Sequence, residues 1–344
     1  MSIVKSGFGR LADGREIDKY LLTGAGGLSV SLITYGAAIQ QLIFADTDLV
    51  LGFDTLEGYV AGNSYQGATI GRYANRIAEG RFPLNGKTIQ VGYNEKGRGC
   101  LHGGIEGFES KVWEAAIISD GDEPSMVFTY LSPDGEEGFP GNLDTAVTFT
   151  VTADNILRIA YTAATDADTV CSLTNHAYFN LGGYASGDIL DTVLTIRGDA
   201  VTPVSEKMCP TGEIRPVDGT IFDFRTSKPI GQDVFADDEQ IKIGNGYDVN
   251  YVLSDSGFRQ AVTARSPKSG IKMTISTDLP ATQFYAGGTL SEKQGKGGNP
   301  LCRFQGFCFE TQFYPDAPNQ PHFPSPLLRA GERFRSVTEY KFEK

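Results

Sequence analysis

Histidine, tryptophan and cysteine are scarce in this 344-residue chain, at three, one and five residues. The cysteines (Cys100, Cys171, Cys209, Cys302 and Cys308) are odd in number and scattered, and none stands in a Cys-x-x-Cys pair. That excludes a zinc ribbon and a thioredoxin-type redox site. An unpaired set suits a reducing compartment, where buried thiols are inert. No run approaches the ~18 apolar residues of a membrane span. The opening Met1-Ser2-Ile3-Val4-Lys5-Ser6-Gly7 lacks the apolar core of a secretion signal, so a cytoplasmic protein is expected. Positive charge is also short: 30 Lys and Arg against 42 Asp and Glu give a net charge of -12. Nucleic acid and anionic membrane are poor partners for such a chain, because phosphates are held by clustered Lys and Arg.

Long stretches of helical periodicity are missing as well. Period-2 alternation replaces them, as in Ala146-Val147-Thr148-Phe149-Thr150-Val151-Thr152, where odd positions are apolar and even ones small or polar. Leu28–Ile43, Leu157–Ala164, Thr192–Ile196, Ala261–Ala264 and Ile271–Thr277 behave similarly. Turn clusters such as Pro133-Asp134-Gly135 and Gly138-Phe139-Pro140-Gly141-Asn142 separate them. Short helices are expected only at Asp54–Val60 and Pro229–Phe235. The pattern predicts an all-β fold, a large antiparallel sandwich or barrel with few short helices. No composition break marks a boundary, so residues 1–344 read as one domain.

Several familiar motifs fail on inspection. Gly24-Ala25-Gly26-Gly27-Leu28-Ser29 has Ser where a dinucleotide fingerprint needs its third Gly, and no βαβ pattern surrounds it. Gly80-Arg81-Phe82-Pro83-Leu84-Asn85-Gly86-Lys87-Thr88 holds one residue too many for a P-loop. Gly62-Asn63-Ser64-Tyr65-Gln66 lacks the closing Gly of a nucleophile elbow. The three histidines, at 102, 176 and 322, form no His-Glu-x-x-His helix, and no metal site is expected.

What remains is a set of polar residues in unusual company. His102 lies in Leu101-His102-Gly103-Gly104, and His176 in Thr174-Asn175-His176-Ala177-Tyr178. Each could equally be a turn histidine, and His322, among prolines, reads as a loop residue. Glu310 sits mid-strand in Phe307-Cys308-Phe309-Glu310-Thr311-Gln312-Phe313-Tyr314. Alternation gives it one face with Cys308, Gln312 and Tyr314, either solvated or the floor of a ligand site, since a carboxylate is costly to bury unpaired. Asp248 could be a turn residue, and Arg72 and Arg76 are surface arginines by default. Gln283 again mixes amide, aromatic and glycine neighbours. Aromatic faces with amide, imidazole and carboxylate groups suit a neutral, hydroxyl-rich ligand such as a sugar.

At these residues the sequence resembles the aldose 1-epimerase (galactose mutarotase) family. The matching blocks are Gly71-Arg72-Tyr73-Ala74-Asn75-Arg76-Ile77-Ala78, Leu101-His102-Gly103-Gly104, Thr174-Asn175-His176-Ala177-Tyr178-Phe179-Asn180-Leu181, Phe222-Asp223-Phe224-Arg225, Gly246-Tyr247-Asp248, Gln283-Phe284-Tyr285 and Phe309-Glu310-Thr311-Gln312. The resemblance implies one large β-sandwich domain that interconverts the α and β anomers of galactose, glucose and related aldoses without a cofactor. It implies Glu310 as general base and His176 as general acid. Asn75, Arg76, His102, Tyr178, Asp248 and Gln283 match positions that hold sugar hydroxyls or the ring oxygen. The stretch 286–304 matches no motif of that family.

Ordinary pKa values, about 4.3 for Glu and 6.5 for His, would leave Glu310 ionised and His176 near half-protonated. The pair is expected to flank the pyranose from opposite sides. Two other readings use the same residues: a non-catalytic sugar-binding module, and a mutarotase or epimerase for sugar phosphates, which would need a cationic pocket.

Overall fold

The structure, a computed structural model, describes residues 2–62 and 64–344. Met1 and Asn63, the latter in the discarded nucleophile-elbow motif, lie outside the described residues. Alternation becomes burial wherever a strand has one wet face. Leu143–Val151 buries Leu143, Thr145, Val147, Phe149 and Val151 and leaves the intervening positions partly or fully exposed. It is an interior strand, third of nine, in an antiparallel sheet. Spatial order there runs Glu114–Ser119, Ser125–Ser132, Leu143–Val151, Ile156–Thr165, Arg333–Glu343, Lys272–Thr277, Arg259–Arg265, Val193–Ile196 and Lys228–Pro229.

Two five-stranded sheets pack against its apolar face. One comprises Ile3–Arg10, Glu16–Thr23, Ser29–Ile33, Ala38–Phe44 and Thr47–Asp48. The other runs Arg215–Pro216, Gly198–Thr202, Asp248–Leu253, Ala281–Tyr285 and Cys308–Gln312. Tyr20 meets Phe128 edge-on at 6.4 Å, and Phe179 meets Tyr340 at 5.3 Å. Thr311 and Thr338 share a hydroxyl contact of 2.6 Å between the second sheet and the nine-stranded one. One apolar cluster, from Ile3 to Phe342, joins all three sheets. Burial at ~25 cal/mol per Å² makes this cluster the dominant stabilising term.

Local departures have local causes. The alternating stretch Leu28–Ile43 is two strands, Ser29–Ile33 and Ala38–Phe44, broken at Gly36. Gly36 has φ +68°, and a Cβ there would lie 2.5 Å from the Glu109 carbonyl oxygen, so only glycine can make this turn. The helix expected at Asp54–Val60 is present as Leu56–Ala61. The one expected at Pro229–Phe235 is not: only a 3₁₀ turn, Ile230–Gln232, forms there. The second α-helix is Glu239–Gly244, begun by Asp238, whose Oδ1 accepts from the Gln240 and Ile241 amides, and ended by Asn245 at φ +53°. Among the described residues, no helix is long and apolar enough to cross a membrane.

Candidate active site

Strand register lays out the floor of the site. Asn250 stands opposite Gln283, and Gln283 opposite Glu310; one step along, Asp248 faces Tyr285 and Tyr285 faces Cys308. Because side chains alternate, these six residues share one face of the second five-stranded sheet. Val249, Tyr251, Phe284 and Phe309 point the other way into the core, where Phe284 and Phe309 stack at 5.0 Å. The Glu310 strand is buried on both faces, and Glu310 itself is 2% exposed. The solvated-face alternative is therefore excluded. Gln283 donates its amide to Asp248 Oδ1 at 2.6 Å, which fixes the aspartate on the floor.

His176 arrives from another direction. Thr174–Asn175 pairs with Thr69–Ile70, and the His176 amide donates to the Ala68 carbonyl. Asn175 holds the turn: its side chain donates to the Gly67 carbonyl and accepts from the Ala177 amide. The His176 ring lies 5.0 Å from Tyr178, and its Nδ1 is 3.5 Å from the Cys308 thiol. Its Nε2 faces Glu310 Oε1 at 3.7 Å.

His102 completes the group. Asn75 and His102 both adopt left-handed backbone, at φ +62° and +54°. The following Gly103 sits where a Cβ would be 1.9 Å from the Gly71 carbonyl oxygen. The His102 amide donates to the Asn75 carbonyl, and the Asn75 amide donates back to His102 Nδ1 at 3.1 Å. That second bond fixes the tautomer: Nδ1 is an acceptor, so in the neutral ring the proton is on Nε2. This N–H points toward Glu310 Oε2, 3.9 Å away.

His102, His176 and Glu310 bring ligand-type atoms within 4.8 Å of one another, a donor set that a divalent ion could use. The tautomer argues against it. With Nδ1 already accepting a backbone hydrogen bond, His102 Nε2 has no lone pair to offer, so the set does not fit a metal.

The surrounding cleft measures about 420 Å³ and is lined by Asn75, Arg76, His102, His176, Tyr178, Asp248 and Glu310. Gln283 is buried beneath it through its bond to Asp248. All eight site residues expected from the sequence thus converge. Several cleft residues were not anticipated. Glu95 accepts a bidentate pair from Arg76, 2.6 Å to Nε and 3.0 Å to Nη2, and also binds Arg98 at 3.3 Å. Tyr65 packs on both imidazoles, with ring centroids 4.7 and 5.7 Å away. Thr289, Leu290, Ser291 and Glu292 form one wall. Glu95, in Asn94-Glu95-Lys96-Gly97-Arg98, carries no sequence signal beyond that of an ordinary charged turn.

Other expectations need correction. Arg76 and Arg72 are both buried. Arg72 lies outside the cleft and donates to Ser132 Oγ and to the carbonyls of Ser132, Pro133 and Pro140; it ties a turn cluster to the core. Cys302 is exposed, unlike the other four cysteines. His322, by contrast, is the exposed loop residue the sequence suggested, bonded to the Gly212 carbonyl.

The largest correction concerns protons. Burial, aided by Asp248 and opposed by Arg76, pushes Glu310 up to about 8. Burial lowers His176 to about 4, against a smaller opposing effect from its own carbonyl. His102 falls well below its usual value through burial, with His176 and Arg76 adding to the effect. An ionised Glu310 beside a half-protonated His176 is therefore not the resting state. The proton rests on the carboxyl, and the imidazole is neutral.

Comparison with known proteins agrees with this geometry. The family model described as aldose 1-epimerase matches residues 18–341. Galactose mutarotase of Bos taurus is 39% identical over 350 residues, covering 99% of this chain and 99% of that protein. Aldose 1-epimerase of Escherichia coli (strain K12) is 37% identical over 339 residues, covering 96% of each. The crystal structure of galactose 1-epimerase from Lactobacillus acidophilus NCFM superposes with a TM-score of 0.88 at 27% identity, covering 99% of this chain and 98% of that one. With the family model spanning nearly the whole sequence and full-length relatives well above 30% identity, the chain belongs to the aldose 1-epimerase family.

Proposed function

We propose that this chain is a mutarotase that interconverts the α and β anomers of D-galactose, D-glucose and related aldoses, working as one catalytic domain over residues 1–344. One observation carries the proposal: a carboxyl and an imidazole face each other at 3.7 Å inside a polar cleft. That spacing leaves no room for a sugar ring between them, so the pair acts from the same side and not, as expected from the sequence, from opposite sides of the pyranose. It suits two oxygens bonded to one carbon, which the anomeric hydroxyl and the ring oxygen are.

Ring opening then balances without a cofactor. Glu310 takes the proton of the anomeric hydroxyl, and its electrons form the C1 carbonyl. The bond from C1 to the ring oxygen breaks, and that oxygen takes a proton from His176. The aldehyde turns about C1–C2. On reclosure the hydroxyl returns its proton to His176, attacks the other face of C1, and Glu310 reprotonates the carbonyl oxygen. The working state needs the proton moved from Glu310 to His176, across the 3.7 Å gap between them. Sugar hydroxyls that donate to the carboxylate favour that transfer, because hydrogen bonding to the charged form stabilises it. The His102 Nε2–H supports the ring oxygen. Asp248, oriented by Gln283, and Arg76, oriented by Glu95, hold hydroxyls. Asn75 supports His102, and Tyr178 backs the His176 ring.

A pure sugar-binding module has no use for an acid opposed to a base, and the burial of Glu310 would be an unrewarded cost. A sugar-phosphate enzyme is disfavoured by charge: Arg76 and Arg98 are both bonded to Glu95, while Asp248 and Glu292 also line the cleft. The acidic chain likewise suits neither nucleic acid nor anionic membrane as a partner. Freshly dissolved α-galactose, followed by optical rotation, is expected to equilibrate faster with the protein than in buffer. Calorimetric binding of galactose with rotation relaxing at the buffer rate would instead establish the binding module.

A further inference from the structure

The stretch between Ala281–Tyr285 and Cys308–Gln312, unmatched by any motif, builds one wall of the cleft through Thr289, Leu290, Ser291 and Glu292. It is fastened from beneath. Glu292 and Leu301 exchange backbone hydrogen bonds of 2.9 Å each way. Leu290 and Leu301 are buried against Leu51, Phe53, Tyr178 and Cys308. At the far end, Lys296 is 3% exposed, and its Nζ donates to Asp48 Oδ2 and to the Val50 carbonyl, both at 2.8 Å. Its amide donates to the Gly52 carbonyl, and the neighbouring Gly297 amide donates to Asp54 Oδ2 at 2.6 Å. A fully buried lysine is rare and costly unless paired. This one joins the wall to a segment 248 residues earlier. On the cleft side, Ser64 donates to Glu292 Oε1 at 2.9 Å.

We propose that Lys296 is a positioning residue that pins this wall, and that the wall sets how tightly the sugar is held without sharing in proton transfer. The inference rests on the mutarotase reading above. Lys296 touches neither His176 nor Glu310 among its described contacts; it holds the loop that the Glu292–Leu301 pairing closes, and Thr289, Ser291 and Glu292 at the mouth of that loop line the same cleft as the reacting pair.

In Lys296→Met, KM for galactose is expected to rise about tenfold, the loss of one or two hydrogen bonds to sugar hydroxyls, while kcat and its pH profile hold. Hydrogen exchange should show lost protection at the Glu292 and Leu301 amides, with Cys308–Gln312 still protected. A uniform loss of protection, an unchanged KM, or a fall in kcat at constant KM would each overturn the proposal. Asp54→Ala cuts the second tether at the surface without leaving a buried charge. It keeps the test open should the lysine variant not fold, and a smaller rise in KM, about threefold, is expected. Wild-type protein that does not speed mutarotation would overturn the mutarotase reading itself. Active wild-type with an indifferent Lys296→Met would overturn only the pin.

Discussion

Glu310 lies 2% exposed, with its Oε2 bonded to no partner among the described residues. Such a group costs roughly 1–3 kcal/mol if neutral and more if charged, which is why its proton is held up to about pH 8. The consequence for rate has a definite sign. Below about pH 4 both His176 and Glu310 are protonated and the base is lost; above about 8 neither is, and the acid is lost. Between those limits the pair carries one proton, and the working arrangement is one of the two ways to place it. The free-enzyme kcat/KM is therefore expected to stay level through pH 7 and to fall on an alkaline limb near 8. An ordinary imidazole would place that limb near 6.5. Initial mutarotation rates at low galactose across pH 5–10 distinguish the two. Little of this could be read from sequence: Glu310 stood out as a carboxylate among aromatics, but its burial on both faces depends on strands far away in the chain.

At the scale of elements, the alternation of Leu143–Val151 and the placement of Leu56–Ala61 were legible because both are local patterns. The helix Glu239–Gly244 was missed because its signal is a single cap, Asp238, followed by one short turn. That helix leads through Asn245 directly to Asp248 and lines the cleft with Ile243 and Gly244. Asp238→Ala removes the acceptor for two orphan amides and is expected to destabilise the protein by about 1 kcal/mol. Urea unfolding checks this, with the midpoint lowered and the slope unchanged. The Glu95 clamp on Arg76 and the Lys296 pin were invisible for another reason. Each is a pairing of ordinary charged residues whose partner is fixed only by tertiary contact, and no spacing rule relates positions 48 and 296.

For the whole molecule, three large sheets bury one apolar cluster, and side chains from positions 64 to 310 gather around a single cleft. Glu95, Asp248 and Glu292 outnumber Arg76 and Arg98 in its lining and make its field unfriendly to anions. Glucose 6-phosphate is expected to show a kcat/KM about 100-fold below that of glucose, since like charge in such a site costs several kcal/mol. Equal values in a coupled assay would restore the sugar-phosphate reading. Nearly every element of the account depends on one adjacency, that of an imidazole and a carboxyl acting on two oxygens of one carbon. Its most direct test is polarimetry of fresh α-galactose with wild-type protein, Glu310→Gln and His176→Asn, each first shown to be folded. The account predicts that both substitutions lower kcat by about 10²–10⁴-fold; near-wild-type rates in either variant would contradict it.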